Sequence, residues 1–386
     1  MPPDDTLTLQ IGAHRFLGWQ EVRVTRGIER MPSDFDLKVT ERNPDGSKIT
    51  IKPGDKCTVL IGGNPVLTGY VDRYRGNIAP GQHGISVSGR SKCEDLVDCA
   101  VIYDGGQISA SNVLQLAADI AKPYGITASG EQGRSDIPQT NINLGETCWE
   151  VIDRVARYSA LLAYDDVNGN LVLSKLGTTA HASGFEQGVN VQSASITYGM
   201  DQRYSEYFAA HMAVDRLSEL GPGGLLYGKV TDTGVPRLRR RVIVSEQTTS
   251  SYNVAEARAA WERNRRIGRS MSVTLVCDTW RDSAGVLWQP NQLAPVHIPA
   301  LKLNRQRWLV SEVSYERNAQ NGTTAQVTLM PPEAFTVEPS AFGSLPRDVS
   351  DAIDEANRGS GAPAIPRLDR ASPAFNPRAG EAPGGV

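Results

Sequence analysis

The densest run of side chains able to ligate a metal is Asp165-Asp166-Val167-Asn168-Gly169-Asn170. Oxygen-bearing residues at alternate positions open calcium loops, which also need glycine at position six and a bidentate glutamate at position twelve. Counted from Asp166, those positions hold Leu171 and Gly177, so the run reads as an Asn-Gly hairpin turn between alternating apolar residues. Gly221-Pro222-Gly223-Gly224 lacks the Lys-Ser/Thr ending of a phosphate loop and does not open a helix. The histidines, at 14, 83, 181, 211 and 297, are isolated from one another, and no pair among Cys57, Cys93, Cys99, Cys148 and Cys277 has CxxC spacing. Zinc binding is not expected from such scatter. No Gly-x-Ser-x-Gly elbow occurs, so the sequence points to neither cofactor nor enzyme. What does cluster is arginine. Arg237, Arg239, Arg240 and Arg241 form one group, and Arg263, Arg265, Arg266 and Arg269 another. Such groups either pair with nearby carboxylates on a solvated face or fork to a partner's carboxylates at a subunit interface.

The elements that position these arginines are short strands and a few helices. Leu7–Ile11, Glu21–Arg26 and Asp34–Thr40 alternate apolar and polar residues, and further strands are expected at 57–61, 66–72 and 84–89. Each is half polar and buries one face, which fits an antiparallel sheet closing on itself. From about 96 the period changes. Asn112–Ala121 has helical spacing with serine caps available in front at Ser109 and Ser111, and 146–163 reads as a second helix ahead of the Asn-Gly hairpin. Strands resume near 191–198 and 203–214, and a helix is expected at 254–269. Beyond it, Ser272–Val276, Leu293–Ile298, Trp308–Tyr315 and Thr323–Met330 read as strands, with a further hairpin over Thr279–Trp288 turning at Asp282-Ser283-Ala284-Gly285. Trp261, Trp280, Trp288 and Trp308 are expected in the core. A short helix at 347–358 and a flexible Gly/Pro/Ala/Arg tail complete the chain.

The totals agree with a soluble, mostly β chain made in a cytoplasm. The formal charge of −3 over 386 residues gives no global basic field for nucleic acid. No apolar run approaches the ~18 residues of a membrane helix, and the acidic N-terminus lacks a signal peptide's basic and apolar regions. The odd number of scattered cysteines points to reduced thiols.

Two parts of the chain echo one another. Pro53-Gly54-Asp55 followed by Val59 and Ile61 matches Pro290-Asn291-Gln292 followed by Val296 and Ile298, position for position. Leu67 and Val71 then match Leu309 and Val313, and Gly81 and Val87 match Gly322 and Val327. The echo is either the shared grammar of two β modules or a duplication. A duplication would make the chain mainly β with an α+β insertion: a first small barrel at 1–95, an α+β domain at 96–189 and a second, related barrel at 190–340, with a flexible tail at 341–386. Three two-barrel chains could form a ring of six similar barrels, mating a threefold object to a sixfold one.

Trp280-Arg281-Asp282-x2-Gly285-x-Leu287-Trp288-x-Pro290-Asn291, Trp308-Leu309-Val310-x2-Val313, Gly322-Thr323-Thr324 and Met330-Pro331-Pro332-Glu333-Ala334-Phe335 resemble the baseplate hub proteins of Mu-like contractile-tailed phages. The helix Ala257-Arg258-Ala259-x-Trp261-Glu262-x-Asn264 and the run Gly145-Glu146-Thr147-x-Trp149-x2-Ile152-x-Arg154-x-Ala156 belong to the same pattern. The resemblance covers about 5–340 and extends, more distantly, to other phage hubs and the hub part of type VI secretion spikes. It implies a structural, non-enzymatic homotrimer at the centre of the virion baseplate, assembled in the bacterial cytoplasm. Its barrels would form a torus between the tail tube and other baseplate proteins above and a trimeric central spike below, with no membrane insertion. DNA would be transiting cargo, which a lumen that held phosphates tightly would impede. Arg239, Arg241, Arg263, Arg265, Arg266 and Arg269 are then candidates for the subunit interface. The alternatives are a hub that delivers effectors in a contractile injection or secretion system, and a β-rich tail enzyme that cuts peptidoglycan with two carboxylates.

Overall fold

The computed structural model describes residues 4–39, 51–79, 82–103, 107–108, 112–133, 140–159, 161–212, 225–245 and 252–335. The Asn43–Gly46 turn, the 221–224 glycines and everything expected beyond 341 lie outside them. The described residues divide into two compact units, Met1–Arg203 with Asn264–Pro339, and Tyr204–Arg263.

The larger unit opens with β1 (Leu7–Ile11), β2 (His14–Phe16), β3 (Glu21–Gly27), β4 (Asp34–Val39), β5 (Lys56–Ile61), β6 (Asn64–Ala79) and β7 (Gln82–Ser91). Alternation dictates their faces: in β5, Cys57, Val59 and Ile61 are buried while Lys56 is exposed. A small α+β segment follows, with α1 (Glu94–Asp98), β8 (Gln107–Ile108), α2 (Val113–Ala121), β9 (Ala128–Gly130), β10 (Thr140–Asn141), α3 (Cys148–Tyr158), β11 (Leu162–Asp165) and β12 (Leu171–Ser174). Asn112 caps α2 by accepting from the Gln115 amide at 2.8 Å. The apolar face of α2, formed by Val113, Leu116, Ala117 and Ile120, shares a buried cluster with Val151, Ile152 and Val155 of α3. Thr147 and Glu150 form a reciprocal capping box at the start of α3, each side chain accepting the other's amide. The helix expected over 146–163 is shorter than its pattern suggests. Its last residues are taken by β11, which pairs with β12 from Leu162↔Ser174 to Asp165↔Leu171.

The chain then adds β13 (Phe185–Glu186) and β14 (Val191–Tyr198). The second unit contains β15 (Glu206–Met212), β16 (Leu225–Thr231) and β17 (Arg240–Ser245), a three-stranded sheet with β15 in the middle. Tyr207, Ala209, Ile243 and Ala259 are buried together there. Ala259 lies on α4 (Tyr252–Arg269), which begins in this unit and ends in the larger one. Back in the larger unit come β18 (Met271–Cys277), β19 (Leu293–Ile298), β20 (Leu303–Asn318) and β21 (Gly322–Met330).

Thirteen of these strands join in one mainly antiparallel sheet, ordered β14-β18-β21-β20-β3-β4-β7-β6-β5-β1-β2, with β19 also on β20 and β13 on β19. Its buried side chains form one cluster that takes Phe35, Leu37, Val59 and Leu67 from the first half and Trp280, Trp288, Val313 and Tyr315 from the second. Trp308 is buried as well, whereas the side chain of Trp261 lies outside the description.

The sequence echo is repeated in the hydrogen-bond ladder with one correction: Val71 answers to Val310 and not to Val313, and Leu67 to Gln306 and not to Leu309, because each register is set by bulges that spacing does not show. The Gly54 amide donates to Val71 O and the Val71 amide to Asp55 O; the Asn291 amide donates to Val310 O and the Val310 amide to Gln292 O. Gly54 and Asn291 both have φ in the left-handed region, at 88° and 63°. That conformation favours glycine and tolerates asparagine, which explains the substitution between the halves. The β5/β6 register slips between Val59 and Leu60, and the β19/β20 register between Val296 and His297. The β6/β7 register slips between Val71 and Arg73, and the β20/β21 register between Val310 and Glu312. Bulges at matching positions are not demanded by alternation alone. By this correspondence β4, β5, β6 and β7 match β18, β19, β20 and β21, and β3 matches β14.

Thr279–Trp288 is not the expected pair of strands. It is a tight turn with one bridge, Arg281↔Leu287, shaped by the Asp282 carboxylate accepting from the Ala284 and Val286 amides at 3.0 Å each. A side chain supplying turn hydrogen bonds competes with ladder formation.

Candidate assembly surface

The two halves of the large sheet meet where β3 pairs with β20, from Glu312↔Gly27 to Arg317↔Val22. Both faces of this seam are covered. On one side Val22, Val24, Val313 and Tyr315 enter the shared core. On the other, Thr25 and Ser314 are buried with their hydroxyls 3.0 Å apart. The chain leaving β3 stays on the seam, since the Ile28 amide donates to Ser311 O at 3.0 Å and Ile28 is buried. A Cβ at Gly27 would lie 3.1 Å from Ser311 O, so the small residue permits the close approach. Arg30 then forks between Asp34 at 2.8 Å and Glu312 at 3.5 Å.

Around the seam, Tyr315 donates to Trp288 O, and Trp280 Nε1 donates to Thr324 O at 2.7 Å. Burial pushes the Tyr315 hydroxyl up to about 12. Arg317 lies over the Trp280 ring at 4.9 Å and donates to Asp5 O at 2.8 Å, while Arg281 donates to the Asp5 carboxylate at 2.9 Å. The N-terminal residues are thereby tied to the second half of the sheet.

The sequence-predicted arginines fall into separate places. In the smaller unit, Arg239 and Arg241 share one aromatic partner, with guanidinium carbons 5.0 Å and 5.8 Å from the Tyr204 ring. Arg240 pairs with Glu206 at 2.7 Å and Arg263 reaches Thr231 O at 3.5 Å. In the larger unit, Arg265 and Arg269 both contact Glu29, and Arg266 donates to Gln202 O at 3.0 Å. Glu29 and Tyr204 were not legible as partners, because each is brought in from a distant part of the sequence.

No group of three or more His, Cys, Asp or Glu side chains able to hold a metal occurs among the described residues. Burial raises the thiols of Cys57 and Cys277, to about 12 and about 11, which makes them poor nucleophiles. His181, isolated in sequence, is a buried hydrogen-bond link. Its Nε2 accepts from the Gln289 amide at 3.2 Å, which leaves Nδ1 to donate to Asp282 at 3.2 Å. Two small recesses, of about 170 Å³ beside Glu29, Arg30 and Met330 and about 240 Å³ beside Arg26, Tyr164 and Asp165, fall below the roughly 300–1,000 Å³ of small-molecule sites. What the geometry offers is strand edges and charged surface, the means of assembly rather than of catalysis.

Comparison with known proteins agrees. Residues 6–91 match the family of Mu phage baseplate assembly protein GpP-like N-terminal domains, 93–175 the second domain of gp44-like baseplate hub proteins, and 251–338 the fourth domain of Mu phage baseplate assembly protein GpP. The baseplate hub protein gp44 of Escherichia phage Mu is 32% identical over 347 residues, covering 86% of this chain and 89% of that protein. Among solved structures, the 43 kDa tail protein of prophage MuSo2 from Shewanella oneidensis superposes with a TM-score of 0.76 at 30% identity, over 86% of this chain and all 100% of that one. A tail protein from Neisseria meningitidis MC58 gives 0.73 at 19% identity, over 88% and 99% of the two chains. A type VI secretion system component from E. coli shares the fold alone, at 10% identity and a TM-score of 0.50 over 86% of this chain and 79% of that one.

Proposed function

The chain belongs to the baseplate hub family of Mu-like contractile phage tails, a family of structural proteins and not of enzymes, and from that premise we propose that it works as a homotrimeric ring. In this reading each half of the large sheet is the inward-curling wall of one barrel. The barrels at 1–95 and 190–340 alternate around the ring, with the α+β domain at 96–189 set between them in the chain. Three chains present six similar modules, so a threefold spike can be seated on one side and a sixfold tail tube on the other. The central bore lets DNA pass when the spike leaves.

The observation that carries this reading is the matching ladder of the two halves, with bulges at the same places and Gly54 answering to Asn291. A duplicated module is what symmetry adaptation needs, and one isolated sheet would not require it. The arginines are assigned by the same logic. Arg239, Arg241 and Arg263, and separately Arg265, Arg266 and Arg269, supply forked donors for carboxylates of neighbouring subunits or tube proteins. The test is mass in solution by light scattering coupled to size exclusion, alone and with the central spike protein co-expressed. A mass near three times 41.8 kDa is expected. A chain that stays monomeric at high concentration and with its spike present would defeat the proposal.

A further inference from the structure

The correspondence between the halves leaves one strand pairing without its counterpart. Within the chain, β20 pairs with β3. The strand matching β20 is β6, and the strand matching β3 is β14. Among the described residues β6 pairs only with β5, through Tyr70, and with β7. No other described strand pairs with its edge beyond Val71. Among the same residues β14 ends the sheet, laddered only to β18, with a lone bridge from Val191 to Gln187. We propose that the β6 edge of one copy pairs antiparallel with the β14 edge of the next, reproducing between chains the seam that joins the two halves within a chain. This rests on the ring reading and deepens it by fixing which strands meet and in what register.

The register follows residue by residue. Val310 answers to Val71 and Glu312 to Arg73, because the two bulges coincide. Leu275 answers to Leu37, because they face Val327 and Val87 in the matching ladders. Ala194, which faces Leu275, then answers to Val22, which faces Leu37. The seam between copies is therefore Arg73↔Gly199, Tyr74↔Tyr198, Arg75↔Thr197, Gly76↔Ile196, Asn77↔Ser195 and Ile78↔Ala194.

Burial agrees with this register. Inside the chain the seam residues are covered: Val313 is 0% exposed, Arg26 8% and Ile28 1%. Their counterparts on the open edges are not: Tyr74 is 37% exposed, Tyr198 64% and Met200 40%, and Ile78, in the place of Arg317, is 86% exposed. Exposed apolar side chains on an unpaired edge invite strand addition, and natural proteins ordinarily blunt such edges. Here they complement one another. In an antiparallel pair, residues directly opposite share a face. The register sets Gly76 against Ile196, Ile78 against Ala194 and tyrosine against tyrosine, on the face where Ala194 and Ile196 already flank the core. Gly199 stands where Gly27 permits the close approach to Ser311 O. Glu312 faces Arg30 across the internal seam; by the same register the exposed Arg73 stands in the place of Glu312 and the exposed Gln202 in the place of Arg30. The open edges differ from each other, so the contact is head-to-tail, which closes into a ring or runs on as a filament.

Paired cysteines test it. Arg75 and Thr197 occupy the places of Ser314 and Thr25, whose hydroxyls are 3.0 Å apart, so Arg75→Cys with Thr197→Cys, in a Cys99→Ser background, should oxidise into a species of three chains on a non-reducing gel. Asn77→Cys with Ser195→Cys is the second pair, should the first fold poorly. Either single cysteine should remain uncrosslinked, and Asn77→Cys with Gln192→Cys, out of register, should crosslink far less. Light scattering on the same samples separates the outcomes. A trimer that crosslinks only in register supports the seam. A trimer that fails to crosslink with both in-register pairs, or crosslinks equally out of register, overturns the seam and leaves the ring. A chain that stays monomeric at high concentration and with the spike protein co-expressed overturns both.

Discussion

At the scale of single residues, the side chains that look most like chemistry serve the fold. Arg90 donates to Asp72 at 2.7 Å and to Asp98 at 2.8 Å, and lies 3.1 Å from Glu94. The Glu94 carboxyl is nevertheless pushed up to about 8, first by its burial and then by the charge of Asp72 beside it, which outweigh the arginine. A carboxyl whose pKa rises on folding favours the folded state when protonated. Its stabilisation is fully present below the ordinary value of 4.5 and is lost as pH rises through about 8. Glu94→Gln removes the ionisation, so the variant should be more stable than the parent by about 1–3 kcal/mol at pH 9, with the gap closing near pH 5. Thermal melts at the two pH values check the sign. Asp282 works in the opposite sense. Burial opposes its charge, but amides of Val286, Ala182 and Ala284 and the ring of His181 hold its pKa below the ordinary value. Asp282→Ala leaves the buried His181 ring without its acceptor and releases turn amides on exposed residues, and should cost about 1–3 kcal/mol in a denaturant titration.

At the scale of elements, the internal seam concentrates the packing. Tyr315 is 0% exposed, sits 6.0 Å from the Trp280 ring in an edge-on arrangement, and donates to Trp288 O. Tyr315→Phe keeps the ring and leaves one buried carbonyl unserved, at about 1–2 kcal/mol. Tyr315→Ala also opens a cavity and should cost about 3–5 kcal/mol. Equilibrium unfolding of the two variants separates the hydrogen bond from the packing. Strands such as β5 were legible because Cys57, Val59 and Ile61 alternate with polar residues, and α2 because of its apolar spacing, although its cap is Asn112 and not one of the serines in front. The end of α3 was not legible, since β11 is taken by a partner strand later in the chain. Thr279–Trp288 misled for a related reason. Its tryptophans are β-type residues whose indoles donate to Thr324 O and Thr279 O and whose backbones share one hydrogen bond, without a continued ladder. The echo was visible as spacing, but the bulges at Asp72 and Ser311 that align its halves depend on cross-strand pairing. The arginine clusters were visible as composition, and their partners Glu29 and Tyr204 were not.

At the scale of the whole molecule, a hub must hold its shape while load passes through the baseplate, and strand pairing from copy to copy would distribute that load along a continuous hydrogen-bonded wall. Mutations on the open edges should therefore separate assembly from folding, which few core substitutions can do. Ile78 is 86% exposed in the single chain, so Ile78→Lys removes almost no buried area. Surface changes of this kind ordinarily alter stability by no more than about 0.5 kcal/mol. Between copies the same position faces Ala194, on the face where Ala194 and Ile196 flank the core. A lysine there must either strip water from its ammonium or bend away and take the edge with it. Lysine on an edge strand is also a device that proteins use against strand addition. The expected result is an unchanged circular dichroism melt of the dilute protein, together with at least a roughly tenfold rise in the concentration at which sedimentation shows the trimer forming, since about 1.4 kcal/mol lost from the contact corresponds to that factor. Ile78→Val is the control and should assemble as the parent does. Equal assembly by the lysine variant would show that β6 faces solvent in the ring and that some other surface joins the copies.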